Sequence, residues 1–185
     1  MSLEHAILGF LNYGPSSGYD LKKVFDISVR HFWPADQSQI YRTLSRLEDK
    51  GWVEMEVIEQ DDRPDRKEYR ITETGQVELH KWLTTPLRPK EMRHADLIQV
   101  FFAGQLSDEE ILVILERIAE KLRLLLAGYA QVPQESAEVC ETVGSPREQY
   151  FWMLTLDWGI HSAQAQLEWL EGVINKIKNK EHPTS

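Results

Sequence analysis

The sequence predicts a mainly α-helical protein with one small β-hairpin and two domains. Three apolar-patterned segments separated by Gly and Pro fill the first 50 positions, two alternating segments follow around a polar loop, and helical spacing dominates from Thr72 onward. Pro86 and Pro89 mark the boundary. We expect residues 1–86 to form the first domain, residues 87–180 an antiparallel helical domain, and residues 181–185 a disordered tail.

Composition limits the compartment and the partners. The chain has 185 residues, a formal net charge of −9 and a single cysteine, so it has no intrachain disulfide. No apolar run is long enough for a membrane span, and no signal peptide is recognisable at the start, so we predict a cytoplasmic protein without membrane partners. An acidic chain is repelled by phosphate, but screening over about 8 Å lets a local basic patch act at contact distance.

Two helices begin the chain. The first ends at the breaker run Asn12-Tyr13-Gly14-Pro15, and Ser16 or Ser17 can cap the second. The residues expected to supply their apolar contacts are Leu3, Ile7, Phe10, Leu11, Tyr19, Leu21, Val24 and Phe25.

The third helix carries the leading functional candidates. Asp36 with Gln39 predicts a capping box at its start, and Ile40, Leu44 and Leu47 form one apolar stripe. The polar remainder can reach phosphates and base edges, and it comprises Gln37, Ser38, Gln39, Tyr41, Arg42, Ser45 and Arg46. Arg42 is our first choice for a base reader. The alternative is an ordinary solvated helix face.

A hairpin follows Gly51, which is a typical helix stop. Val53, Met55 and Val57 alternate with polar residues, as do Tyr69 and Ile71. The connecting loop and its edge carry the cations Arg63, Arg66 and Lys67. Three helices and a basic hairpin predict a winged helix-turn-helix, an arrangement that reads double-stranded DNA. The alternative is a solvated loop, because Asp61, Asp62 and Asp65 offset the positive charge.

The motifs of this region resemble those of the PadR family of bacterial transcriptional regulators. SGYDL spans Ser17–Leu21, YRTLSRLE spans Tyr41–Glu48, and PDRKEYRIT spans Pro64–Thr72. The resemblance implies that Tyr41 and Arg42 contact DNA and that Arg66 and Lys67 support or contact its backbone. Many members have proline where this chain has Arg42, so the base contacts are not carried over from the family.

The second half predicts a dimerisation region. Ser107 and Glu110 form a capping box before a long helix whose seam contains Ile111, Leu115, Ile118, Leu122 and Leu125. The seam predicts a homodimer; the alternative is packing against the chain's own helices. A last helix from Pro146 to about Lys178 is apolar nearly all round in its first half, which predicts enclosure by its own chain and a partner. This half resembles the dimerisation region of longer PadR-like proteins.

An effector pocket is the remaining candidate site. Phe102, Trp152, Trp158 and His161 offer aromatic faces and one polar group suited to a small aromatic effector, and a plain aromatic core is the alternative. The sequence has no phosphate loop, zinc motif or nucleophile elbow, so we predict no catalysis, no metal and no cofactor. The predicted function is a dimeric repressor of a pseudo-palindromic operator that an effector releases. The alternative, which the acidic balance favours, is a winged-helix module for protein association or a regulator that acts through a protein partner.

Overall fold

The structure is a computed structural model that describes residues 2–59, 65–87, 94–132, 145–181 and 183. The elements are α1 (Ser2–Leu11), β1 (Ser16–Ser17), α2 (Gly18–Ile27), α3 (Gln37–Asp49), β2 (Val53–Ile58), β3 (Arg66–Ile71), α4 (Glu73–Thr84), α5 (Ala95–Phe101), a 3₁₀ turn (Ala103–Gln105), α6 (Asp108–Tyr129) and α7 (Pro146–Lys178). The mainly helical fold with a small antiparallel sheet confirms the predicted class.

The chain divides into two compact units. Residues 1–88 with 136–149 form the first unit, and residues 89–135 with 150–185 form the second. The division falls within α7, whose first residues belong to the first unit. The exact limits proposed from the sequence, 1–86 and 87–180, stay a prediction, and of the expected tail only positions 181 and 183 are described.

The first unit has one core beneath α1 to α4 and the sheet. The apolar stripe of α3 is fully enclosed, since Ile40, Leu44 and Leu47 are each 0 % exposed. The other buried members are Ile7, Leu8, Leu11, Leu21, Phe25, Val53, Tyr69, Ile71 and Leu79. The predicted contact residue Tyr19 is instead 56 % exposed and lies beneath the Lys23 ammonium, 4.4 Å from its ring centre. That prediction was wrong because helical spacing gives the burial of a flanking position only roughly.

Caps determine where the helices of this unit begin. The Ser17 hydroxyl accepts a hydrogen bond from the Asp20 amide (3.1 Å), which selects Ser17 as the cap of α2. Asp36 and Gln39 form the predicted capping box, with distances of 2.7 and 2.9 Å. The Thr72 hydroxyl caps α4 by accepting a hydrogen bond from the Gly75 amide at 3.1 Å. Each cap satisfies amides that the first helical turn leaves without partners.

The sheet has the strand order β1-β3-β2 and is antiparallel throughout. β2 and β3 pair from Val53↔Ile71 to Ile58↔Arg66. The two-residue strand β1, which the sequence did not predict, pairs Ser16 with Tyr69 and Ser17 with Glu68. The start of α2 is therefore joined directly to the hairpin.

Buried polar residues fasten α1 to the rest of the first unit. Glu4 and His5 are each 5 % exposed. The Lys50 ammonium donates to the Glu4 carboxylate at 2.9 Å, and the His5 ring lies 3.2 Å from the Glu78 carboxylate. The His5 ring also stacks on Trp82 with centroids 4.6 Å apart. These contacts satisfy groups that would be costly to bury alone.

The second unit is built on α6 and α7, which run antiparallel. Glu116 near the start of α6 pairs with Lys178 at the end of α7 (2.7 Å), and Arg123 pairs with Glu171 (2.7 Å). The residues buried between them are Leu115, Ala119, Leu170 and Ile174, and further along Tyr129, Leu156 and Ala163. The predicted capping box at Ser107 is present, and its hydrogen bonds lower the pKa of the Glu110 carboxyl.

Candidate nucleic-acid interface

The exposed face of α3 contains every residue predicted for it. Gln37, Ser38, Gln39, Tyr41, Arg42, Ser45 and Arg46 are all exposed. The opposite face buries Thr43 together with the apolar stripe. The helix is thus fixed on one side and presents two guanidinium groups, an aromatic ring and four smaller polar side chains on the other.

The two arginines of α3 are held differently. The Arg42 Nε donates to the backbone oxygen of Ser38 at 3.3 Å, a long hydrogen bond within its own helix. The Arg46 Nη2 donates to the Oγ1 of Thr43 at 3.0 Å, and Thr43 is only 1 % exposed. Arg42 therefore has the weaker restraint and can reorient towards a ligand at lower cost.

Tyr41 is seated against the first turn of α2. A Cβ atom added to Gly18 would lie 2.5 Å from a ring carbon of Tyr41, so only glycine allows this approach. Tyr69 of β3 lies nearby. Burial raises the pKa of its hydroxyl, and the nearby Glu48 and Tyr41 raise it further. Three elements thus meet at Tyr41. Sequence reasoning missed Gly18, since the glycine is distant from Tyr41 in the chain.

Gly18→Ala is expected to change binding more than stability. Tyr41 is 40 % exposed, so its ring can rotate away from the new methyl group, and alanine favours the helix by up to about 1 kcal/mol. We expect little change in melting temperature and a loss of DNA affinity of roughly 1 kcal/mol from the displaced ring. Melting curves and gel shifts measure the two effects. Gly9→Ala, which has open space around its new Cβ, is the control and should leave affinity unaltered.

Two of the three predicted wing cations lie at the start of β3. Arg63 lies outside the described residues, and Arg66 and Lys67 begin β3 with exposed side chains. The Arg66 Nη2 donates to Asp20 Oδ2 at 2.9 Å and lies 3.2 Å from Glu68 Oε1. Sequence reasoning also missed Asp20, although its position three residues after the cap residue Ser17 marks it as part of a cap.

Of the four residues predicted for an effector pocket, Phe102 lines a cavity of the second unit, and the assignment of the other three stays a prediction. In the second unit a cavity of about 620 Å³ is lined by Phe102 with residues of α5, α6 and α7, whereas Trp152, Trp158 and His161 are not in its lining. Trp158 is 64 % exposed. The His161 ring nitrogen Nδ1 hydrogen-bonds the backbone oxygen of Asp157 at 2.9 Å. Trp158 and His161, three positions apart on α7, are both exposed, and Trp152 lies on another side of the helix.

The predicted dimer seam packs largely within the chain. Leu115 is 2 % exposed against α7, and Ile111, Ile118 and Leu122 pack around the same cluster. Leu115 is therefore enclosed within its own chain. Leu125 is 42 % exposed. Within the single chain this part of α6 packs against the antiparallel α7, and the role of the seam in a homodimer stays a prediction.

The described residues contain neither a membrane-spanning helix nor a cluster of metal-binding side chains. No helix in the described ranges is long and apolar enough to cross a bilayer. The same part of the chain contains no group of three or more His, Cys, Asp or Glu side chains placed to hold a metal ion.

Fold and surface together define a winged helix-turn-helix protein with a helical C-terminal region. The Transcriptional regulator PadR-like family matches residues 7–81, and the Virulence activator alpha C-term family matches residues 92–178. A probable transcriptional regulator of Mycobacterium tuberculosis is 32 % identical, and the alignment covers 97 % of this chain and all of that protein. The chain belongs to the PadR-like family of transcriptional regulators, and it is a regulator rather than an enzyme.

Solved structures of one relative match nearly the whole chain. The negative transcriptional regulator PadR of Bacillus subtilis is 27 % identical over 95 % of this chain and 97 % of its own length. Its structure in complex with operator DNA has a TM-score of 0.80 at 29 % identity, covering 96 % of this chain and 99 % of that one. Its structure in complex with p-coumaric acid has a TM-score of 0.75 at 27 % identity, covering 95 % of each chain.

Proposed function

We propose that the chain is a dimeric repressor that binds a pseudo-palindromic operator through α3 and the wing. The observation that carries the proposal is the exposed face of α3, where Tyr41, Arg42 and Arg46 stand on a helix whose other side is buried. A helix held in this way enters the major groove with its polar side chains towards base edges. PadR of B. subtilis, a negative regulator solved with operator DNA, supports both the mode of binding and the sign of regulation.

Roles divide between the proposed domains. Residues 1–86 would bind DNA through the exposed α3 residues and through the wing, which carries Arg63, Arg66 and Lys67, and residues 87–180 would form the homodimer and bind an effector. The net charge of −9 makes a single subunit a weak ligand for phosphate. A two-fold dimer places two α3 helices on two half-sites and raises the affinity without new contacts.

The dimer surface is supported by the apolar side chains that α7 exposes. At 100° per residue, one stripe lies opposite the face that packs on α6, and its members are Phe151, Leu154, Trp158, Ala165 and Trp169. A contiguous exposed apolar stripe marks an interaction surface, unlike apolar residues scattered singly, and it can pack against a copy of itself across a two-fold axis. Of the seam predicted on α6, Leu125 is exposed enough to join it.

Release by a small aromatic effector completes the proposed mechanism. The B. subtilis relative was solved with p-coumaric acid, an aromatic acid. In this chain the cavity beside Phe102 has the size and apolar lining of a small-molecule site. A ligand that binds one arrangement of the dimer more tightly would shift the spacing of the two α3 helices and weaken operator binding.

Arg42→Ala tests the assignment of the recognition surface. Duplexes selected from a random DNA pool supply the probe, and affinities are measured by gel shift for the selected sequence and for scrambled DNA. We expect a loss of roughly 1 to 3 kcal/mol on the selected sequence and a smaller loss on scrambled DNA, because Arg42 is proposed to read bases. Arg117→Ala, at an exposed arginine of α6, is the control and should bind like the wild type.

Two outcomes would contradict the proposal. If Arg42→Ala binds the selected duplex as tightly as the wild type, the exposed face of α3 does not read sequence. If the wild-type chain selects no sequence at all, the protein-association module becomes the better account of the acidic winged helix.

A further inference from the structure

We infer that Asp20 is a positioning residue: it holds the wing through Arg66, and Arg66 anchors the wing instead of contacting phosphate. The inference rests on the proposed function, since it concerns how the wing is presented to DNA. It reassigns Arg66, which the sequence placed among the DNA contacts, and it gives the first turn of α2 a role in binding although that turn carries no proposed DNA contact.

The first turn of α2 touches both elements of the proposed interface. β1, immediately before it, pairs with β3 at Ser17↔Glu68. Gly18 lies against the ring of Tyr41 on α3. Asp20, two residues later, accepts the hydrogen bond from Arg66 at the start of β3. The α3 helix and the wing therefore both contact the first turn of α2.

The Asp20 carboxylate is itself fixed. Its Oδ2 accepts a hydrogen bond from the Ser17 hydroxyl at 2.6 Å, and the Ser17 oxygen accepts one from the Asp20 amide at 3.1 Å. Ser17 is 8 % exposed. The carboxylate that receives Arg66 thus belongs to a closed cap whose serine is buried, which makes it a defined point of attachment for the hairpin.

The positive charge of Arg66 is already balanced by two carboxylates of its own chain. Its Nη2 lies 2.9 Å from the Asp20 carboxylate and 3.2 Å from that of Glu68, so two negative charges face one guanidinium. A phosphate would have to displace them. Lys67 and Arg70 on the same strand are exposed and form no ion pair within the described ranges, so they are better placed than Arg66 to meet the backbone of a duplex.

The solvent exposure of the Arg66–Asp20 pair allows its effect on the position of the wing to be measured apart from folding stability. The side chains of Arg66 and Asp20 are 42 % and 36 % exposed. Ion pairs this accessible to solvent add little to folding stability. Their loss should therefore leave the unit folded while the wing loses its attachment beside α2. Asp20→Asn keeps the size of the side chain and one acceptor oxygen, and it removes the charge together with the second acceptor oxygen.

The experiment measures DNA affinity for the wild type, Asp20→Asn, Arg66→Ala and the double variant at a series of salt concentrations. The probe is a duplex selected by the wild-type protein from a random pool, and melting curves accompany each variant. Asp26→Asn is the matched control, because Asp26 lies on the same helix and pairs with Lys22 instead of the wing.

If Asp20 positions the wing through Arg66, each single variant weakens binding by a similar several-fold factor, and the double variant is no weaker than either. The dependence of log affinity on log salt keeps its slope in Arg66→Ala, since no phosphate contact is lost. Asp26→Asn binds like the wild type, and all melting temperatures stay close together.

Three results would overturn the inference. A slope lowered by about 0.9 in Arg66→Ala would identify a phosphate contact. Losses that multiply in the double variant would show that the two residues act independently. Tighter binding by Asp20→Asn would mean that Asp20 restrains an arginine that DNA needs. Absence of DNA binding in the wild type would contradict the proposed function itself, and the selection step reveals this before any variant is compared.

Discussion

Replacing Gly75 by alanine is expected to destabilise the winged-helix unit by about 3 kcal/mol, the upper end of the usual cost of overpacking. A Cβ atom at this position would lie 2.2 Å from the backbone oxygen of Trp52 and 2.8 Å from Cγ1 of Ile71. Neither neighbour can withdraw easily. The Trp52 oxygen accepts a hydrogen bond from the Thr72 amide at 3.0 Å, and Ile71 is buried in the core.

The consequence reaches the wing, because Gly75 lies where β3 passes into α4. Thr72 and Thr74 both donate to the backbone oxygen of Gly51 at 2.7 Å, so the start of α4 is bound to the turn that precedes β2. Moving α4 outward to admit a methyl group would break these hydrogen bonds together. The steric cost and the lost bonds therefore act in the same direction.

Chemical denaturation followed by circular dichroism measures this loss. Gly172→Ala is the matched control: the new Cβ meets nothing within 4 Å, and alanine in the middle of α7 should stabilise the helix by roughly 0.5 to 1 kcal/mol. Opposite signs for one kind of substitution would establish that packing decides the outcome at Gly75. Equal stability of Gly75→Ala and the wild type would show that the connection can shift freely.

Features that depend on residues within one helical turn of each other were predictable from the sequence. The capping boxes at Asp36 and Ser107 and the buried stripe of Ile40, Leu44 and Leu47 were predicted correctly. Each depends on residues three or four positions apart, so the local spacing contains the required information. The same holds for the exposed face of α3, which is the complement of its buried stripe.

Features set between distant segments were not predictable in the same way. Gly18 meets Tyr41, and Asp20 meets Arg66, only after α2, α3 and the hairpin have packed together. The seam on α6 shows the limit most clearly. Its spacing specified an apolar stripe correctly, but not whether the stripe faces a second chain or α7, and Leu115 lies against α7.

The second stripe on α7 leads to the prediction with the largest effect on DNA binding. Leu154→Glu is expected to dissociate the proposed dimer, because a carboxylate would have to be buried without a partner in an apolar contact. Leu154 is 43 % exposed in the single chain, so the substitution leaves the intrachain core between α6 and α7 untouched. Glutamate also favours helix, which protects the fold of α7.

Loss of the dimer separates the two proposed half-site contacts, and the avidity they share is worth on the order of 10²- to 10⁴-fold in affinity. Sedimentation velocity should therefore show Leu154→Glu as a monomer at concentrations where the wild type is a dimer, and gel shifts should show a correspondingly large fall in affinity. Gln164→Glu adds the same charge to an exposed position of α7 away from the stripe and should change neither. If Leu154→Glu remains dimeric, the two-fold contact lies elsewhere; if it is monomeric yet binds DNA as tightly as the wild type, the acidic chain does not depend on a second subunit to overcome its repulsion by phosphate.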